Sequence, residues 1–193
     1  SFSMTIPGQG IDFENKTFSL ERLDVSQNEV VFSAEEPGKW LIRKIYRFDP
    51  LQPTFWLNTE IENLSPIQQT GSLQLTSYFI VGSDATHQHE SESFISLQEK
   101  LVSTKFDKIK KKPSLIEDQI LWQALTRHFF TLIIYPDSPA VLSKTTVENG
   151  TVFKSDLQLK LQTIEPNQKV EHQFLIYSGP KYYRALKSLG HGF

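Results

Sequence analysis

Two imidazoles and a carboxylate stand within four residues at His87-Gln-His89-Glu90. Residues two apart on a strand share a face, so this stretch carries the donor types of a zinc site. No further ligand is identifiable by spacing, and the surrounding Gly82–Ser93, rich in Ser, Asp, Gln and Glu, reads as a solvated loop. Paired carboxylates are plentiful at Glu60 and Glu62, Glu35-Glu36 and Glu117-Asp118. Glycoside hydrolysis needs two such groups flanking a cleft. Glu60 and Glu62, however, alternate with Thr59 and Ile61, which is how a half-exposed strand presents polar groups to water. There is no Gly-x-Ser-x-Gly for a nucleophile elbow and no glycine pattern for cradling phosphate. Neither a catalytic residue nor a metal or cofactor is therefore expected.

Charge suggests a different chemistry. Lys105-Phe-Asp-Lys-Ile-Lys-Lys-Lys112 holds five lysines in eight residues, and it reads either as a solvated loop before Pro113 or as a contact for anionic lipid headgroups. Across the 193 residues, 20 Lys+Arg stand against 22 Asp+Glu, a formal net charge of -2 that offers no general field for nucleic acid. The most apolar window, Phe129–Tyr135, stops at Pro136, well short of the ~20 residues a membrane-spanning helix requires. Zero cysteines exclude disulfides and thiolate chemistry, and are permissive for an oxidising compartment. The sequons beginning at Asn15, Asn63 and Asn149 matter only in a eukaryotic secretory setting, and two of them coincide with turns.

The elements that must position these groups are strands. Leu157, Leu159 and Leu161 alternate with Gln158, Lys160 and Gln162, the period of a half-buried strand. Glu29–Ala34, Trp40–Phe48, Thr54–Glu62, Leu73–Val81 and Val170–Tyr177 read the same way, separated by turn residues such as Glu36-Pro-Gly38, Asp49-Pro50 through Pro53, and Glu165-Pro-Asn167. Asn149-Gly150, flanked by β-branched residues, predicts a tight type I′ hairpin. Asp118–His128 suits a helix or a strand by periodicity alone. Near the C-terminus the period changes: Tyr182, Leu186 and Leu189 form an apolar stripe beside Lys181, Arg184 and Lys187, which predicts a short amphipathic helix over 181–190, ending at Gly190. With 14 Phe, 6 Tyr and 3 Trp to fill a core, and no repeat or composition shift, residues 1–193 read as one antiparallel β-sandwich domain.

Tyr177-x-Gly179-Pro180-Lys181, followed by Leu186 and Leu189-Gly190, resembles the segment that closes the large periplasmic domain of YidC-type membrane-protein insertases of Gram-negative bacteria. Lys44-x-Tyr46-x-Phe48 with Ile61-x-Asn63-Leu-Ser65 is similar to paired strands of that family, and Trp122 with Phe129-Phe130 and Pro136 to its Trp…Tyr-Phe…Pro stretch. The glycine-containing first strands of the family are not recognisable, which suggests a trimmed or compact variant. The resemblance implies an all-β super-sandwich like that of galactose mutarotases, and it turns Asp118–His128 into a strand. It further implies a periplasmic, non-catalytic domain of an inner-membrane insertase and chaperone. Expected partners are the transmembrane remainder of that insertase, Sec-translocon subunits, nascent membrane proteins and anionic headgroups.

On this reading Tyr177, Gly179, Pro180, Lys181, Trp122 and Phe130 carry the family pattern. Lys181, Arg184, Lys187, Tyr182, Leu186 and Leu189 are expected to face the membrane or a partner, or else to cap the sandwich. The competing function is a carbohydrate-binding or mutarotase-like protein on the same fold, with Trp40 or Trp56 stacking on sugars. Trp40 shares a strand face with Ile42, Tyr46 and Phe48, so both tryptophans are expected in the core instead. No mutarotase motif can be matched to His87, His89, His128 or His172.

Overall fold

The computed structural model describes residues 16–182 and 186–187, together with the backbone of strand residues 2–6 and 11–12. The first half of the chain forms β1 (Phe2–Ile6), β2 (Ile11–Asp12), β3 (Ser19–Asp24), β4 (Glu29–Glu36), β5 (Trp40–Phe48), β6 (Thr54–Asn63), β7 (Gln69–Gly71) and β8 (Gln74–Ile80). Two short helices, α1 (Ala85–His89) and α2 (Phe106–Lys111), bracket the hairpin of β9 (Glu92–Leu97) and β10 (Leu101–Lys105). The remainder is β11 (Ser114–Arg127), β12 (Phe130–Pro136), β13 (Ala140–Glu148), β14 (Val152–Gln158), β15 (Gln162–Ile164) and β16 (Lys169–Pro180).

Fourteen of these strands build one antiparallel sheet, in which β8, β14, β13 and β11 lead through β12 to β16, β6, β5, β4 and β3, while β7 and β15 pair in a separate two-stranded sheet. The sheet closes on itself as a sandwich because alternate residues on both halves are apolar and bury one another. Leu75, Phe153 and Leu157 from one half meet Ile42, Leu57, Ile61, Phe174 and Ile176 from the other in a single core. Each such side chain contributes about 1.5–3 kcal/mol by leaving water. The all-β sandwich expected from the alternation is the fold observed, and 118–127 is strand, with His128 in the turn that follows. Asn149 and Gly150 take positive φ of 51° and 68°, and the Thr151 amide closes the turn on the Glu148 carbonyl at 3.1 Å.

Several expectations are corrected. Gly82–Ser93 is no open loop: Asp84 accepts the Thr86 and His87 amides at 2.8 and 3.1 Å and caps α1, and β9 begins at Glu92. Lys105–Lys112 is mostly helix, because Phe106 and Ile109, three apart within the lysines, are both buried and anchor α2. Gly179-Pro180 does not break β16, whose pairing with β12 continues to Phe130↔Pro180. Leu161 lies past the end of β14 and is exposed. Trp40 is buried as expected, whereas Trp56, on the opposite face of the sheet from Leu57, is 37% exposed, and Phe48 at the end of β5 is also exposed.

Candidate docking site

The residues of the Tyr-x-Gly-Pro-Lys element meet on the face of the sheet that points away from the main core. Ala124, Ile133 and Tyr177 stand in register across β11, β12 and β16, with Phe94 of β9 beside Ala124. With Trp122 they form a second, smaller apolar cluster, and Leu186 of the terminal segment packs on it. The spacing of the element has a steric cause. Tyr177 and Gly179, two apart, share the outer face, and the Tyr177 hydroxyl donates to the Pro180 carbonyl. The phenol thus lies across Gly179 while Pro53 covers the same glycine, so that a Cβ there would sit 2.7 Å from Pro53 Cγ and 3.2 Å from Tyr177 Cζ. The Ser178 amide donates to the Pro53 carbonyl at 2.9 Å, which fixes the 49–53 turn against the strand. Burial raises the Tyr177 hydroxyl above the usual tyrosine pKa, which keeps it a donor.

At the end of the same strands the β11–β12 connection is a two-residue turn. Arg127 pairs with Phe130, and His128 takes a φ of 38°. The Lys181 amide donates to the Phe129 carbonyl at 2.7 Å, and the Leu186 amide to the Tyr182 carbonyl at 3.0 Å, the i→i−4 bond of a helical turn. Phe129, Phe130 and Tyr182 are 67%, 57% and 68% exposed. They line an open groove of about 620 Å³ together with His128, Pro180 and Lys181. Lys181 and Lys187 are exposed. Arg184 and Leu189, and the helix end at Gly190, lie outside the described residues.

The other candidates do not converge. His89 Nδ1 lies 2.8 Å from Asp107, His128 pairs with Glu90, and the His87 and His128 rings are 5.7 Å apart. Among the described residues no three His, Asp or Glu are arranged to hold a metal. Glu60 and Glu62 approach Arg43 at 3.6 and 4.0 Å, a charged row on one sheet face rather than two groups across a cleft. His172 is buried, its pKa lowered by desolvation against a smaller opposing effect of Asp137, beside a cavity of about 10 Å³. That is room for about one water. Trp56 borders a shallow outer groove of about 180 Å³ with Tyr135, Asp137, Gln173 and Leu175.

A buried polar network inside the sandwich went unanticipated. Gln123 donates to Thr145 at 3.1 Å and to Ser155, and accepts from Ser143 at 3.1 Å. The signal was present: polar residues occupy positions that strand alternation assigns to the interior. Lys44 is likewise buried, 5% exposed, with its ammonium 3.8 Å from the centre of the Phe18 ring, and burial lowers its pKa to about 8.

The model of the YidC periplasmic domain matches residues 3–193, nearly the whole chain. The chain belongs to the YidC periplasmic domain family. The match begins at residue 3, so the opening segment, where the family's first strands are not recognisable from the sequence, is part of the domain. It is similar to proteins named membrane protein insertase YidC from Pelobacter propionicus, at 22% identity over 94% of this chain, and Syntrophus aciditrophicus, at 24% over 98%. The chain spans about a third of the length of these curated relatives, 34% and 36%. As a member of this family it is a periplasmic domain of an inner-membrane protein, and the family is not one of catalytic enzymes.

Among solved structures it resembles a galactose mutarotase related enzyme from Lactobacillus acidophilus, with a TM-score of 0.65 and 11% identity over 86% of this chain and 72% of that one. A galactose mutarotase-like protein from Lactobacillus casei gives 0.68 and 9%, over 86% and 74%. At such identity the likeness to these proteins is one of fold.

Proposed function

We propose that this YidC periplasmic domain is a non-catalytic accessory of a membrane protein insertase, assisting the insertion and folding of inner-membrane proteins by docking rather than by chemistry. The seat of Leu186 on Trp122, Ala124, Ile133 and Tyr177 carries this reading. A terminal segment anchored on the sheet, instead of hanging free, transmits the orientation of the sandwich to whatever the segment joins. The partners are the transmembrane remainder of the insertase, Sec-translocon subunits and nascent membrane proteins. Leu186 couples the terminal segment to the sandwich, and the exposed Lys181, Tyr182 and Lys187 are the side chains offered to those partners, together with Arg184 and Leu189 by their place in the sequence.

The test is reconstituted insertion by the full-length insertase. Leu186→Asp, which places a charge on the apolar seat, lowers the yield of inserted substrate, while Leu186→Met preserves it. Insertion by Leu186→Asp at the unmodified rate, with the protein present and folded, would overturn the coupling role.

A further inference from the structure

We infer that the end of the sandwich carrying the β11–β12 turn, α2 and the start of the terminal segment is a bilayer-facing surface. Phe129, Phe130 and Tyr182 enter the acyl boundary, and the lysines of α2 meet anionic headgroups. The inference rests on the reading above to the extent that it places this domain beside the inner membrane.

Three large aromatic side chains from two separate elements are exposed together around one open groove. Contiguous apolar exposure of this kind, rimmed by polar groups, marks an interaction surface. The rings are held outward by rigid backbone: the Arg127–Phe130 pair closes the turn, and the Lys181 amide ties the Phe129 carbonyl to the end of β16. Cations accompany them. Lys181 lines the groove itself. Helix α2 buries Phe106 and Ile109 and so turns Lys108, Lys110 and Lys111 to solvent.

Helix and turn belong to one end of the molecule because α1 joins them, through His89 to Asp107 of α2 and through Glu90, which caps its end, to His128. A basic cluster beside aromatics, on a chain whose net charge is -2, is a polarised distribution that orients the molecule toward an anionic plane. Aromatic rings flanked by lysines are the side chains that suit the headgroup boundary, ring inward and charge outward. The terminal segment leaves the sandwich at this same groove, so a bilayer contact here and the coupling through Leu186 reinforce one geometry.

The experiment is co-sedimentation of this chain with vesicles of phosphatidylethanolamine and phosphatidylglycerol, against vesicles of phosphatidylcholine alone. The chain binds the anionic vesicles, and the exposed double change Phe129→Ser/Phe130→Ser weakens binding roughly tenfold by withdrawing two rings from the acyl boundary. Lys108→Gln/Lys110→Gln/Lys111→Gln removes the dependence on phosphatidylglycerol, and Phe129→Trp adds fluorescence that brominated lipid quenches. Failure of the unmodified chain to bind, or equal binding by the double aromatic variant, overturns the inference. So does a photo-crosslinker at position 129 of the full-length protein that labels protein and no lipid, which would assign the groove to a protein partner. Either result leaves the Leu186→Asp insertion assay free to stand or fall by itself.

Discussion

Replacing Gly179 by alanine isolates the steric core of the Tyr-x-Gly-Pro-Lys element. The new methyl carbon would lie 2.7 Å from Pro53 Cγ, 2.9 Å from Pro53 Cβ and 3.2 Å from Tyr177 Cζ. Carbon atoms rest at about 3.5–4.0 Å, so the Pro53 ring must retreat by about 1 Å. It is poorly placed to do so, because its own carbonyl accepts the Ser178 amide at 2.9 Å and the Tyr177 hydroxyl is held by Pro180. Gly179 is not among the residues with positive φ, so the cost is one of packing and not of backbone conformation.

Overpacking costs about 1–3 kcal/mol and a loosened Ser178–Pro53 bond about 1 kcal/mol, which together give a loss of about 2–4 kcal/mol. The midpoint of thermal unfolding should fall by about 4–16 °C for a chain of this size. Urea unfolding of Gly179→Ala, Pro53→Gly and the double variant measures the coupling. The double variant should be more stable than the sum of the single losses predicts, by at least about 1 kcal/mol. A loss under about 0.5 kcal/mol for Gly179→Ala, or strict additivity in the cycle, would refute the account of why glycine stands there.

Three further outcomes follow from the interior and the seat. Lys44→Met should stabilise the fold at pH 7 by about 2 kcal/mol, the desolvation cost of the buried ammonium less its contact with the Phe18 ring. Because the folded pKa is about 8 and the ordinary value 10.5, the unfolded chain holds the proton more firmly between them. Wild-type stability therefore climbs across that window and the advantage of methionine disappears by its upper end, as urea midpoints at a series of pH values would record. Gln123→Ala removes the acceptor of the buried Ser143 hydroxyl and one bond each from Thr145 and Ser155, which keep each other at 3.3 Å, and should cost about 2–4 kcal/mol in denaturant unfolding. Leu186→Ala should speed hydrogen exchange at the Leu186 amide roughly tenfold while leaving the β11 amides unchanged, since only the seat of the terminal segment is weakened.

Legibility followed how much of a residue's fate was local. Trp40–Phe48 was readable to the residue because one face alternates cleanly and turns bound both ends. Asn149-Gly150 was readable because a tight turn needs residues tolerant of positive φ. The helix α2 was hidden because its signal is only the pair Phe106 and Ile109 among lysines that read as solvated. Trp56 was misplaced because β6 is covered on the core side only, and a tryptophan does not announce which face it occupies. The resemblance at Tyr177–Lys181 pointed to the right segment, but in the fold Gly179 and Pro180 finish a strand rather than interrupt one.

By itself, then, the sequence determined the period-two strands, the turns between them, the absence of thiol chemistry and a closing motif that pointed to the family. These depend on neighbours along the chain and on composition. Only the tertiary structure decided that Trp122, Ile133 and Tyr177 form a seat for Leu186, that Pro53 rests on Gly179, and that Phe129, Tyr182 and the α2 lysines gather at one end. Those relations join residues far apart in sequence. They are fixed by strand order and register, which many side chains set jointly through burial and none encodes alone.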